Sequence, residues 1–322
     1  MKDTLKWSYA LNQWDVRMDV FVRHEDQIRG LKTISAAGFD HVELASATGR
    51  WGNIGRPEII LLNHGSHQGF KDFLARAGIS GVSSIYWDMT APAEEEGYAF
   101  HDALDSGRHS DIVEAAKVYL DFLSSIGGDT LAARPVGSAW RSGPLGDDAI
   151  KCIASLWNLV GTEAQRRDVK LAIHYDCLSG LHTVDQLRLF LDATDPDLVG
   201  LTIDTAEMTI GGIDPVLFYE ENNRRVSHIH LKDTRYRDSG SEYLIPNAEI
   251  AMLRGGAGRR IERWFYELGT EGGLVDVPGF VATLRKHNFE GWVVVESDHG
   301  RLPAELTLLN SWYLQRRLGI AL

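Results

Sequence analysis

Eight short apolar or β-branched runs, separated by longer segments of helical texture, constrain this 322-residue chain more than any other feature. The runs are LKWSYA, HVELAS, VSSIYW, TLAAR, VKLAIH, VGLTID, VSHIHL and WVVVES, starting near residues 5, 41, 82, 130, 169, 199, 226 and 292. Between them lie EDQIRGLKTISAAG, DIVEAAKVYLDFLSSIGG, DQLRLFLDAT and VPGFVATLRKHN, most with apolar residues three or four apart and Gly at the exit. Strands separated by helices pair in parallel and are covered on both faces, which explains runs that are apolar throughout rather than alternating. Eight such units predict a closed (β/α)8 TIM barrel, with an open doubly wound sheet as the other arrangement. The length suits one such barrel as a single domain over 1–322. One stretch breaks the rhythm: residues 236–262 form a long connection after the seventh run, of the kind that serves as a lid, binding loop or partner surface.

A net charge of −12 opposes a surface built to neutralise phosphate backbones, so no nucleic-acid partner is expected. Cys152 and Cys177 are too few for a disulfide framework and lack CxxC spacing, so both read as reduced thiols without an assigned role. The first residues, MKDTLKWSYALNQWD, lack the apolar core of a signal peptide, and no run of about eighteen apolar residues occurs. The expectation is a cytoplasmic protein with no membrane association.

In a barrel the C-terminal strand ends share one mouth, so residues far apart in sequence meet there. Those ends carry Glu43, Arg134, His174, Asp176, Asp204, Glu207, His230, Asp233, Glu296 and Asp298. Imidazoles and carboxylates from neighbouring strands can enclose a divalent ion, and mixed N/O donors suit Mn, Zn, Co or Fe better than a thiolate-selective metal. His174, Asp204, His230 and Glu296 are the expected ligands, with Mn first and Zn, Co, Mg or Fe as other candidates. An ion there polarises a carbonyl and stabilises an enediolate, chemistry that belongs to sugars and keto sugars.

The segments VELA, LAIHYD, LTIDTAE, HIHLKD and FYELGTEGGLVDVPGFVATLRKHNFEGWVVVESD resemble the xylose-isomerase-like barrels over almost the whole chain. That superfamily includes sugar phosphate isomerases and epimerases, inosose dehydratases, endonuclease IV enzymes and the large subunits of bacterial C-glycoside deglycosidases. The resemblance implies a metal held by Glu, Asp, His and Glu on the fifth to eighth strands. Asp204, His230 and Glu296 match; position 174 is His instead of Glu, and the sixth-strand motif reads DTAE where DxxH is usual. Losing one of two metal-bound glutamates disfavours symmetric proton shuffling and favours one-sided elimination. The implied function is a lyase on an oxidised sugar, cleaving a 3-oxo-glucoside by β-elimination, with His174 and Glu296 as candidate catalytic groups. A sugar isomerase or epimerase, or an inosose dehydratase-like enzyme, is the alternative. In the deglycosidases a small second subunit covers the mouth, so residues 236–262 are expected to meet a partner or form a lid. An endonuclease IV-like role fits poorly with the charge, and a barrel without catalysis, acting as a scaffold, is the contrasting class.

Glu43, Glu207, Arg235 and Trp87 are the candidate substrate-binding residues, through a hydroxyl contact, a planar pair of donors and ring stacking. Trp14 and Trp140 share the stacking option, although packing is the common fate of such rings. His228 points the same way as His230 and reads either as a residue behind it or, as is commoner, as a satisfied core histidine. GGAGRR at 255–260 fits no dinucleotide fingerprint and reads as loop, as do the acids at 94–96 and Arg237.

Overall fold

Each of the eight runs forms a strand: β1 (Lys6–Ala10), β2 (His41–Ala47), β3 (Gly81–Asp88), β4 (Thr130–Ala133), β5 (Lys170–His174), β6 (Val199–Asp204), β7 (Val226–Leu231) and β8 (Trp292–Val295). The computed structural model describes residues 5–14, 24–47, 55–89, 102–245, 264–298 and 302–322. Neighbouring strands pair in parallel in sequence order, and β1 closes on β8. The chain is therefore a single-domain (β/α)8 barrel, as the alternation requires.

The helical layer comprises α1 (His24–Ala36), α2 (Pro57–His64), α3 (His67–Arg76), α4 (His109–Ile126), α5 (Ala139–Ser142) and α6 (Asp147–Gln165). It continues through α7 (Val184–Ala193), α8 (Thr205–Ile210), α9 (Pro215–Asn222), α10 (Val277–Lys286) and α11 (Pro303–Trp312), the last running into a π turn at Tyr313–Arg317. Local chemistry sets the ends. Thr183 and Gln186 form a reciprocal capping box at the start of α7. Gly127 ends α4 at φ 85°, a left-handed conformation that costs glycine little. Among the described residues, no helix is long and apolar enough to cross a membrane.

Side chains alternate across each strand, and this decides what reaches the barrel axis. On β7, Ile229 and Leu231 join the apolar layer, whereas His228 and His230 enter the polar interior, with Lys232 following in the same phase. On β3, Trp87 faces the helices, its ring 5.2 Å from Tyr119 and 6.5 Å from Trp157, so the expected pocket position is corrected. Its neighbour Tyr86 takes the inward place, 5.0 Å from the His174 ring and 5.9 Å from that of His230.

The ELGTEGGLVD segment owes its shape to Asp233. This buried carboxylate accepts the N–H groups of Thr234, Gly269 and Val275 at 2.8, 3.2 and 3.2 Å. A Cβ at Gly273 would stand 2.4 Å from Asp233 Oδ2, so glycine is required by the close approach. Asp276 then caps α10 through the Gly279 N–H. Asp233, although at a strand end, organises a loop.

Candidate active site at the barrel mouth

His174 ends β5, Asp204 ends β6, His230 lies one residue before the end of β7, and Glu296 directly follows β8. The parallel register brings them together. His174 Nε2 is 3.1 Å from His230 Nδ1 and 3.3 Å from Asp204 Oδ2. His230 Nδ1 is 3.9 Å from Asp204 Oδ2 and 3.3 Å from Glu296 Oε1. All four side chains are buried. Donors placed about 2.0–2.2 Å from one ion are separated by distances of this size, and the set of two imidazole nitrogens and two carboxylate oxygens suits a divalent metal. The residues therefore fit the group that the sequence implies, and His174, Asp204 and His230 form a cluster able to hold an ion.

Glu43, expected to touch substrate, has another task. Its Oε1 meets His230 Nε2 at 2.9 Å, while Oε2 meets His228 Nε2 at 2.9 Å and accepts Ser84 Oγ at 2.7 Å. Burial alone would raise its pKa, but the two histidines win and hold it at about 2. An ionised Glu43 keeps the proton on Nε2 of His230, which directs Nδ1 toward the cluster; this is how a carboxylate behind a ligand histidine fixes its tautomer. His228, read chiefly as a satisfied core histidine, shares Glu43 with His230 and so stands behind it.

Lys232 is the group that sequence reasoning left out of the site. Its Nζ lies 2.9 Å from Asp204 Oδ2, 2.7 Å from Glu296 Oε1, 2.7 Å from Asp298 Oδ2 and 3.8 Å from Glu207 Oε1, beneath the Phe265 ring at 4.0 Å. Burial opposes the charge, but the surrounding carboxylates raise the lysine well above its ordinary pKa. The alternation of His228, His230 and Lys232 was the available signal. Asn12, just beyond β1, donates to Glu296 Oε2 at 2.8 Å and to Asp298 Oδ1; nothing in its surroundings in the sequence marked it.

Four carboxyl groups crowd around one ammonium, and their mutual repulsion can be relieved either by protons on some of them or by a divalent ion. Burial and neighbouring acids push Asp204 up to about 7, Glu207 to about 8 and Asp298 to about 6. Glu296 moves the other way: burial would raise it, yet Lys232 and His230 hold it well below the usual carboxylate range. His174 is lowered well below 6.5 by burial and by the charges of His230 and Lys232, so it presents a neutral imidazole. Glu207 also accepts the Cys177 N–H at 2.9 Å, which sets it between the β5 and β6 ends.

Arg235 is exposed, donates to Thr270 Oγ1 and lies 4.2 Å from the Tyr266 ring, on the loop that follows β7. Among the described residues, no contact places it against the His174–Asp204–His230 cluster. Trp140 instead carries Arg141 over its ring at 4.5 Å. Of the connection expected at 236–262, residues 236–245 are described, and there Tyr243 stacks on His182 at 3.8 Å and 4°. The acids at 94–96, GGAGRR at 255–260 and the rest of the connection lie outside the described residues.

Arg134 closes the mouth's wall. Fully buried, it pairs with Asp176 at 2.8 Å and Asp88 at 3.5 Å, joining the ends of β3, β4 and β5. Arg134→Lys keeps the charge but loses the planar fork, and urea denaturation should show a loss of about 1–3 kcal/mol. An unchanged midpoint would mean that a point charge suffices there.

Fold and site together define a (β/α)8 barrel whose mouth gathers, among the described residues, a His–Asp–His cluster from strands five to seven that could hold a metal ion. The chain belongs to the xylose isomerase-like TIM barrel family, whose model matches residues 31–312. Among curated proteins it is 24% identical over 177 residues to an inosose dehydratase of Lacticaseibacillus casei, covering 54% of this chain and 56% of that one. It is 27% identical over 141 residues to the inosose dehydratase of Mesomycoplasma hyopneumoniae, covering 44% of each chain. The chain thus spans only about half the length of the curated relatives it matches. Among solved structures, a probable 3-DHS dehydratase from Bacillus anthracis superposes with a TM-score of 0.69 at 12% identity, covering 97% of this chain and 100% of that one. A D-allulose 3-epimerase from Methylomonas sp. gives 0.68 at 16% identity, covering 97% of each. These structural likenesses speak for the fold.

Proposed function

We propose that this protein is a metal-dependent lyase that removes a proton beside the ketone of a polyhydroxylated substrate and expels the group on the adjoining carbon. The observation that carries this reading is the ligand set itself. With His174 at the end of β5, Glu296 is the only glutamate among the four converging donors. Moving a proton between the two faces of one carbon calls for a base on each face, whereas elimination calls for one base and one acid. A divalent ion, Mn in this proposal, supplies polarisation of the ketone and charge stabilisation of the enolate.

Glu296, kept ionised by Lys232 and His230, is the proposed proton acceptor through Oε2, because Oε1 is the oxygen turned toward His230 and the cluster. The C–H electron pair forms the enolate, and its collapse drives out the leaving oxygen. Glu207 retains its proton near neutrality, being raised to about 8 by burial and by Asp176, and is the proposed donor that turns hydroxide into water. Lys232 cannot act as the base while it is held cationic; its charge lies beside Glu296 and Glu207 and favours the enolate electrostatically.

Loss of water from a keto-polyol ring takes first place, because the curated relatives are inosose dehydratases. Release of an aglycone from a 3-oxo-glucoside is the same step with another leaving group, and in that version a small second subunit over the mouth belongs to the proposal. The test is mass spectrometry of Mn-loaded protein in D2O with inososes, ketoses and aryl 3-oxo-glucosides. Loss of water or aglycone supports elimination and identifies the substrate class. Deuterium uptake with the carbon skeleton and all oxygens retained would overturn it in favour of an epimerase or isomerase.

A further inference from the structure

We infer that the outer face of α11 is a self-association surface that pairs with α11 of a second copy of this chain, antiparallel about a two-fold axis. The inference stands apart from the chemistry at the mouth. Leu302 is 61% exposed, Leu308 54%, Leu309 38% and Trp312 54%, all within or at the start of one helix of ten residues. Among the described residues, the other large exposed apolar side chains on helices fall one to an element: Leu62 on α2, Val118 on α4, Leu159 on α6 and Leu217 on α9. Scattered apolar residues need no explanation, but a contiguous stripe does.

The order of residues along the stripe identifies the occupant. Leu302, Glu305, Leu309, Trp312 and Arg316 recur at spacings of three and four, the seam of a helix that packs against another helix. All five are exposed, while Leu306, Thr307, Asn310 and Ser311 turn inward against the barrel. The stripe is acidic at its start through Glu305, apolar in its middle, and basic at its end, where Arg316 and Arg317 sit on the π turn. Turned end for end, this pattern complements itself. An antiparallel pairing that sets Leu309 against Trp312 of the second copy also sets Glu305 against its Arg316, and the two-fold axis repeats both contacts. Such an interface is isologous, the commonest form in soluble oligomers. A stable interface buries roughly 1,200–2,000 Å² in total, so contact should extend from α11 onto α1, which packs beside it.

The experiment is sedimentation velocity of the full chain from about 1 to about 100 µM, a range that brackets the dissociation constants of ordinary dimers. A concentration-dependent dimer is expected. Trp312→Glu should raise its dissociation constant at least about 30-fold, the effect of losing a central aromatic anchor. Because Trp312 is exposed, the circular dichroism of this variant should stay that of the parent. Glu305→Arg should weaken association, and the double variant Glu305→Arg with Arg316→Glu should restore it, an outcome that only pairing between copies produces. A chain that stays monomeric throughout would overturn the inference. So would a dimer indifferent to Trp312→Glu, or one in which the double charge reversal fails to recover what the single one lost.

Discussion

Lys232→Met should lower the melting temperature by about 5–10 °C, the effect of roughly 3–5 kcal/mol lost when a buried ion pair keeps only one partner. Methionine fills much the same volume, so the loss reports charge instead of packing. Three carboxylates now share the ammonium within 2.9 Å: Asp204, Glu296 and Asp298. Without it they face one another in a site where water cannot screen them. The same variant should lose turnover by about 10²-fold or more, because a charge aimed at the developing enolate is removed. Added Mn(II) should recover a larger share of the melting temperature in the variant than it adds to the parent, since the ion then meets a more negative pocket. Thermal melts with and without Mn(II), alongside rates on the substrate found, check all three expectations. A variant that melts with the parent and turns over normally would remove Lys232 from the site.

The barrel was legible because a parallel strand covered on both faces must be apolar, and that texture survives in eight separate places. The convergence of His174, Asp204, His230 and Glu296 was legible for a related reason: ionisable residues concentrated where such strands end have little structural excuse. What stayed hidden depends on which of two adjacent residues points inward. Trp87 is the ring the sequence suggests for a pocket, yet the phase of β3 against β2, including the irregularity between Val42 and Glu43, is set by closure of the whole sheet and turns Tyr86 inward instead. The pairing partner of a charge is equally nonlocal. Glu43 and His228 lie 185 residues apart and meet only because the barrel interior brings β2 and β7 across from each other. Lys232 was overlooked because a lysine after a strand is ordinarily solvated; its burial follows from Phe265, more than thirty residues on, lying over it.

His174→Ala is expected to remove turnover almost wholly, by about 10²–10⁴-fold, a range set by losing a group that fixes the reacting centre. His174 Nε2 faces both His230 Nδ1 and Asp204 Oδ2, so its deletion opens the ligand set on the β5 side and should weaken Mn(II) binding in a calorimetric titration. The more discriminating change is His174→Glu, which places a carboxylate where the resemblance to xylose-isomerase-like barrels implies one. If the imidazole is what makes the site one-sided, this variant should bind Mn(II) at least as tightly as the parent, because it adds charge that the ion neutralises. It should also shift the products, with deuterium from solvent appearing beside the ketone of recovered substrate and elimination falling. The two readouts separate a ligand from a base. An alanine variant that retains Mn(II) affinity but loses rate would assign His174 to proton transfer, and one that retains both would exclude it from the mouth's chemistry.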